Sequence, residues 1–436
     1  MSLDADNPPR LPRRAFGIIF GVSMATALGN TGLISVLPVI GRSLQVPDFL
    51  VSAIFSLSAI LWAASSPFWA RTSDIRGRKP LMMLGLSGFL VSMICCGAVV
   101  TAGLRHLAPP MVIFGLLLVA RAIFGFFGAA SNPATQAYVA EHTSREARTQ
   151  SMANLAGAFG LGTVIGPFVA PLFIVPQNNV AGPLFGFAAI AAVMLFVVYR
   201  FLPESPFAAE ARARAHVLRR DGPVRSGRGL WRDPRLAPFL IYGFLVATCQ
   251  TAQGQTLGFL IIDHMHISPS QAQGFIAVAM MFGAVAGLLA QWGVIRMFEM
   301  GPKDLMRWGV GVAALGMLMV AASASYWMVV AGYAVSSLGF GLARPGFTAG
   351  SSLSVNMDEQ ARAAGAIAAV NGINVVFAPA FVWLYEHIAP LPFLIAGAIL
   401  VALLAYTFTD PTLRRMGDEP AGKGEAAWRE GARAFE

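Results

Sequence analysis

What most limits the folds open to this chain is a succession of long apolar segments, each separated from the next by a short polar stretch. They fall near residues 16–40, 49–71, 80–103, 110–138, 150–172 and 182–202, then 236–262, 271–296, 304–323, 326–350, 363–385 and 391–409. Each is close to or above the roughly 20 residues a helix needs to cross a bilayer core. Lipid offers no partner to backbone N–H and C=O groups, so such segments have to be helices. Charged residues make up 12% of the chain and hydrophobic ones 56%, whereas soluble domains are about 25% charged. The expectation is an all-α membrane protein with 12 transmembrane helices. The segment from Phe16 to Ile40 is too long for a signal-peptide core and lacks a cleavage site, so it is read as the first span.

The cations set the orientation. Arg10, Arg13 and Arg14 precede the first span, and the stretch from Pro203 to Arg235 carries Arg212, Arg214, Arg219, Arg220, Arg225, Arg228 and Arg232. Loops expected on the opposite side hold only Arg42 and Arg105. Cations collect on the cytoplasmic side, which places both termini in the cytoplasm and the protein in a plasma membrane, the inner membrane of a bacterium. The same loops account for the pI near 10.0, and nucleic acid is not expected as a partner. The chain divides into a six-helix bundle (1–202), a cytoplasmic linker (203–235), a second six-helix bundle (236–410) and a cytoplasmic tail (411–436). Ala208 to Arg220 is either an amphipathic helix on the membrane face or a flexible linker, and the linker is preferred.

Cys95, Cys96 and Cys249 all lie in apolar segments, which suits small buried residues and implies neither disulfide nor metal. No nucleotide-binding loop and no catalytic constellation is visible, so neither an enzyme nor a cofactor is expected. The halves look related: Gly125-Phe126-Phe127-Gly128 with Pro133 has a counterpart in Gly339-Phe340-Gly341 with Pro345. Arg148 matches Arg362, and Gly166-Pro167 matches Ala378-Pro379, as in a duplicated unit.

Asp74-Ile75-Arg76-Gly77-Arg78-Lys79-Pro80 joins the second and third spans. It makes a tight hairpin in which Gly77 is free to take positive φ and Pro80 suits a helix start. Asp-x-x-Gly-Arg-Lys at this place resembles the loop signature of the major facilitator superfamily of secondary transporters; the usual Gly four residues before the Asp is Ala70 here. Leu117 to Gly125, with Arg121 four residues before Gly125, resembles the fourth-span motif of proton-coupled facilitators. Gly162-Thr163-Val164-Ile165-Gly166-Pro167 resembles the fifth-span motif of the antiporter branch, which includes drug and tetracycline exporters. The glycine pair that usually follows is Ala170-Pro171 here.

The resemblance covers the whole chain. It implies two pseudo-symmetric bundles around a midplane cavity, working by alternating access, and within that a 12-span drug:proton antiporter. It also implies a cytoplasmic latch of Asp74, Arg76, Gly77, Arg78, Lys79 and Glu141. There Arg78 pairs with Glu141, and Asp74 accepts from the N-terminal amides of another helix, the eleventh. The alternative is a set of solvated ion pairs worth about 0–1 kcal/mol each. Gly162, Gly166 and Pro167 are the helix-packing part of the antiporter motif.

Two arginines fall at mid-depth, Arg121 and Arg344. Each costs at least ~2.5 kcal/mol in hydrocarbon, so each needs a partner: helix carbonyls or water, or an anionic group on a substrate in the cavity. The seventh span carries Gln250, Gln253 and Gln255 among threonines, which suits a wet cavity or helix-to-helix hydrogen bonds. Helical spacing sets Asn132 on the stripe of Arg121, and Tyr333 with Ser337 on the stripe of Arg344. Facilitator cavities are lined largely by the first, fourth, seventh and tenth spans. By that resemblance Asn30, Arg121, Asn132, Gln250, Gln253, Tyr333 and Arg344 are expected to touch substrate, with Asn371 and Asn374 of the eleventh span added.

No carboxylate lies at mid-depth; Asp74, Glu141, Asp263 and Glu386 fall at span ends. Asp74, Glu141 and Asp263 are therefore the candidates for proton coupling. Two transport readings stay open, proton-coupled export of an amphipathic molecule and transport of an organic anion held by the mid-membrane arginines. A third class is a non-transporting receptor or scaffold, against which stands the lack of any soluble sensor domain. The expected partners are a small-molecule substrate, protons and the bilayer, and the expected state is a monomer.

Overall fold

The computed structural model describes residues 12–143, 145–174, 180–204, 233–355 and 360–415, all of them helices, turns and short connections. Ala208 to Arg220 and the tail beyond residue 415 lie outside the described residues. The first half contains α1 (Arg13–Ser43), α2 (Asp48–Arg76), α3 (Arg78–Leu104), α4 (Pro110–Phe127), α5 (Ser131–Glu141), α6 (Arg145–Val169) and α7 (Gly182–Phe201). The second half contains α8 (Ala237–Met265), α9 (Pro269–Leu288), α10 (Pro302–Ala321), α11 (Tyr326–Leu353), α12 (Gln360–Ile373), α13 (Ala378–His387), α14 (Leu391–Thr409) and α15 (Pro411–Arg415).

Ten stretches are long and apolar enough to cross a membrane. The segments expected at 236–262 and 363–385 are helical but fall outside that set. In α8 the amides and threonines around Gln253 lower the hydropathy. The other segment is divided between α12 and α13 by a 3-10 turn, Asn374–Phe377. Pro379 follows that turn and has no N–H to give the carbonyl of Val375, which takes the Ala378 amide of the 3-10 turn. Ser56 Oγ of α2 donates to the same carbonyl at 2.7 Å. A second 3-10 turn, Gly128–Ala130, joins α4 to α5 just ahead of Pro133. There Phe126 O accepts from Trp69 Nε1 at 2.6 Å and Ser65 Oγ at 3.1 Å.

With no solvent to drive helices together in lipid, close packing depends on small residues. Two seams show it. On α6, a Cβ added to Gly162 would lie 2.8 Å from the Ala27 side chain, and one on Gly166 2.8 Å from the Gly32 amide, both on α1. On α11, a Cβ on Gly332 would lie 2.9 Å from Val320 N and one on Gly339 2.6 Å from Gly309 O, both on α10. Gly316 of α10 faces the same seam, against the backbone of Ser336.

The two halves of the chain meet at the end where α1 finishes and α2 begins. Arg42 of α1 reaches Asp263 of α8 at 2.8 Å, and Glu386 of α13 accepts from the Phe49 amide at 3.1 Å. Deeper in, Gln273 Nε2 of α9 donates to Ser35 Oγ at 3.2 Å. Ser35 and Ser56 each lie eight residues inside the helix end, so the closed region is about 12 Å deep. Beyond it the halves part. One stripe of α2 contains Ser52, Ser56, Ile60, Ala63, Pro67, Arg71 and Asp74. Ser52 and Ser56 are buried, whereas Ile60, Ala63, Pro67 and Arg71 are exposed and Asp74 is half-buried.

Gly316→Leu forces a side chain into backbone across the α10–α11 seam and is expected to cost about 1–3 kcal/mol or more. Thermal melting in detergent checks this, with Gly115→Leu, which has nothing within 4 Å, expected to melt as the wild type does.

Candidate functional site

The residues with chemistry fall into one group spread over α5, α8 and α11 and another in the Asp74–Pro80 hairpin. Arg344 is exposed on α11, nine residues from Leu353, hence about 14 Å from that helix end. Asn132 is exposed on α5, where its Oδ1 accepts from Gln136 Nε2 at 3.2 Å. Gln250 is half-buried on α8, and one turn on a Cβ at Gly254 would meet nothing within 4 Å. These candidates stay accessible, on three different helices.

The other candidates are drawn inward. Arg121 is only 1% exposed. Its Nη2 donates to Asn30 Oδ1, and its guanidinium carbon lies 4.4 Å from the Phe124 ring centre and 5.5 Å from that of Phe55. Arg121 thus ties α1, α2 and α4 together, and Asn30 is half-buried beside it. Among the described residues its Nε and Nη1 have no hydrogen-bond partner. Gln253 is 2% exposed, with Nε2 donating to Ser336 Oγ and, at 3.4 Å, to Tyr333 O. That is the helix-to-helix bond rather than the wet face. Tyr333 is half-buried against Gly283 of α9. Asn374 is buried, accepting from Thr251 Oγ1 at 2.9 Å. Asn371 lies in α12, and its side chain is outside the described residues.

At the hairpin, Gly77 has φ of 101°, a conformation that favours glycine. This aims Arg78 back across the loop. Arg78 Nε and Nη2 reach Glu141 Oε1 at 2.8 and 2.7 Å, and Nη1 reaches Asp74 Oδ1 at 2.6 Å and Ser73 Oγ at 3.0 Å. Arg76 is exposed. Lys79 Nζ donates to Tyr199 O at 2.9 Å. Asp74 therefore pairs within its own half. The segment just before α12, residues 356–359, lies outside the described residues.

Sequence reasoning missed Glu204. Its Oε1 accepts from the amides of Arg78 at 3.0 Å and Lys79 at 3.3 Å, capping α3 where free N–H groups and the helix dipole favour a carboxylate. Tyr138 OH donates to Pro203 O at 3.1 Å, pinning the same segment beneath α5. It also missed Asp48 and Tyr385, which surround Arg42 and Asp263. The readable signal was Arg42 and Asp48 lying six residues apart across a Pro47 turn.

A profile of the Major Facilitator Superfamily matches residues 19–379. The chain belongs to that superfamily. It is 24% identical over 361 residues to multidrug resistance protein 1 of Bacillus subtilis, covering 81% of this chain and 84% of that one. Multidrug resistance protein 2 of the same organism is 24% identical over 396 residues, covering 90% and 94%. Among solved structures, a POT family transporter in complex with 5-aminolevulinic acid superposes with a TM-score of 0.69 at 14% identity, covering 93% and 99%. The human organic anion transporter MFSD10 (TETRAN) gives 0.60 at 18%, covering 90% and 99%. The protein is thus an integral membrane facilitator with a transporter fold, not an enzyme, and the receptor or scaffold alternative falls away.

In this facilitator the α3 cap is separable from the ion pairs. Glu204→Ala removes a carboxylate from two helix N-terminal amides and is expected to cost about 1 kcal/mol. Thermal melting checks it, with exposed Arg76→Ala expected to leave stability within about 0.5 kcal/mol of wild type.

Proposed function

We propose that this facilitator exports amphipathic small molecules in exchange for protons, with 12 spans, both termini in the cytoplasm, and the monomer as the working unit in a bacterial inner membrane. The observation that carries this is the polar, accessible interior of a chain closed at one end: Asn132, Gln250 and Arg344 stay accessible while the Arg42 end is shut. Similarity to two Bacillus multidrug resistance proteins along most of the chain supports the substrate class. The packing of Gly162 and Gly166 on α1 supports the antiporter motif.

Proton coupling needs a carboxylate whose protonation changes a contact. Asp74, Glu141 and Asp263 each face an arginine, so a proton on any of them weakens an ion pair that holds helices in register. In proteoliposomes with an imposed pH gradient, the protein is expected to drive efflux of a fluorescent amphiphile, and collapse of the gradient to abolish it. Efflux that ignores the gradient removes proton coupling. Glu141→Gln is expected to reduce the rate at least 10-fold.

Arg344 favours a second reading, in which the substrate is an organic anion. It is an exposed residue about 14 Å from the end of α11, where a reduced dielectric strengthens the attraction of its guanidinium for an anionic group. Thermal stabilisation by anionic, neutral and cationic amphiphiles separates the two. Stabilisation by anions alone, lost in Arg344→Ala, establishes the anion reading. Stabilisation by neutral or cationic compounds, kept in Arg344→Ala, establishes the multidrug reading.

A further inference from the structure

In the second half α10 packs along α14, and both helices carry exposed apolar side chains: Leu315 is 57% exposed and Phe408 53%. In a bilayer such side chains meet hydrocarbon. One cation lies between the two helices. Arg307 is five residues into α10, about 8 Å from the helix start, at the end where α14 finishes. Its Nη2 donates to Thr407 O at 3.1 Å, one of the last carbonyls of α14, which lack a partner within the helix. Its guanidinium carbon lies 4.1 Å from the Phe408 ring centre. Among the described residues Arg307 makes no other hydrogen bond and no ion pair, and its Nε is buried without a partner.

Capping α14 uses one of the five donors of this arginine and leaves its charge unopposed. Asp304, three residues away, does not neutralise it: that carboxylate is exposed in the first turn of α10, where the helix dipole stabilises it. Nη1 and the second N–H of Nη2 remain to be given, a pair that matches two oxygens of one phosphate. The depth also fits a phosphate. Trp308, 64% exposed beside Arg307, is a residue type that collects at headgroup level. One turn deeper on the same stripe is Gly311, where an added Cβ would meet only Leu404 Cδ2, at 3.8 Å. Leu315 continues the stripe. A guanidinium at the interface thus stands directly above a shallow apolar channel between two helices, the order of headgroup and acyl chain in a lipid.

We propose that the α10–α14 groove binds one anionic phospholipid, its phosphate on Arg307 and an acyl chain over Gly311 against Leu404 and Leu315. The Phe408 ring holds one face of the guanidinium and the Thr407 carbonyl one edge, so the free edge is fixed in direction before the lipid arrives. The leaflet concerned is the one at the Arg78 end, which the orientation proposed above makes the cytoplasmic leaflet, where anionic lipids attract basic groups. The site is remote from Asn132, Gln250 and Arg344 in function: it takes a membrane component and does not depend on which molecule is transported.

The test is native mass spectrometry of the full chain in detergent, titrated with dioleoyl phosphatidylglycerol, phosphatidylethanolamine or phosphatidylcholine. Wild type is expected to bind the first phosphatidylglycerol at least 3-fold more tightly than either zwitterionic lipid. Arg307→Gln is expected to remove that preference, and Arg307→Lys, which keeps the charge, to retain most of it. Gly311→Leu fills the channel without touching the charge and is expected to weaken phosphatidylglycerol at least 3-fold. Arg296→Gln, an exposed cation at the same end, is expected to leave the preference in place. Phosphatidylglycerol binding unchanged in both Arg307→Gln and Gly311→Leu overturns the site. Equal binding of all three lipids, or a preference for phosphatidylethanolamine, overturns the anionic headgroup. Displacement of the lipid by millimolar inorganic phosphate makes this a site for free phosphate and overturns the lipid assignment. If Arg307→Gln fails to fold, Gly311→Leu decides alone.

Discussion

A charge taken out of water needs an opposite charge or a set of hydrogen bonds, and the placement of arginines in this chain follows from that cost. Arg42 and Arg78 stand at opposite ends of the helices, and each engages two carboxylates. Arg121 lies between them in depth and is held by an amide and two aromatic faces instead. Arg344 is exposed on α11, nine residues from Leu353. The first two fasten helix ends, the third fastens a core, and the fourth has the accessibility a substrate contact requires.

The fastenings differ in what they join. Arg78 draws Asp74 and Glu141 together within one half, and Glu204 bolts the start of the linker onto the same hairpin. That end of the first half is therefore a rigid unit without help from the second. Arg42 instead bridges the halves, and with Ser35–Gln273 and Ser56–Val375 it closes only the outermost part of their contact. Close seams such as α1 with α6 and α10 with α11 pack helices tightly within each half. Alternating access needs that separation of stiff units from a breakable join.

Much of this was legible in the sequence. Apolar runs gave the helices and nearly all their bounds, because lipid allows a span little else. The pairing of Arg78 with Glu141 was expected from the resemblance of the hairpin to the facilitator loop motif. What could not be read was the direction in which a side chain faces once two helices cross. Gln253 and Gln250 differ by three positions on α8, yet one is buried against Ser336 and the other stays partly open. Asn374 looked like a cavity amide and instead joins α8 beside a 3-10 turn. Glu204 sits in sequence beyond the last span of its half, and only the folded hairpin shows that it caps α3. Composition also failed to separate α8 and the α12–α13 pair from ordinary spans, since polar residues and a proline break are there for packing between helices.

The central claim is that the interior of this facilitator is reached from the Arg78 end while the Arg42 end is shut. Accessibility of single cysteines to a membrane-impermeant thiol reagent, applied from one side of oriented vesicles and then from the other, tests it most directly. Cysteines at Phe68 on α2 and Thr348 on α11, both exposed toward the Arg78 end, are expected to react from that side and to be protected from the Arg42 side. Equal labelling from both sides, or labelling from the Arg42 side alone, would contradict the account.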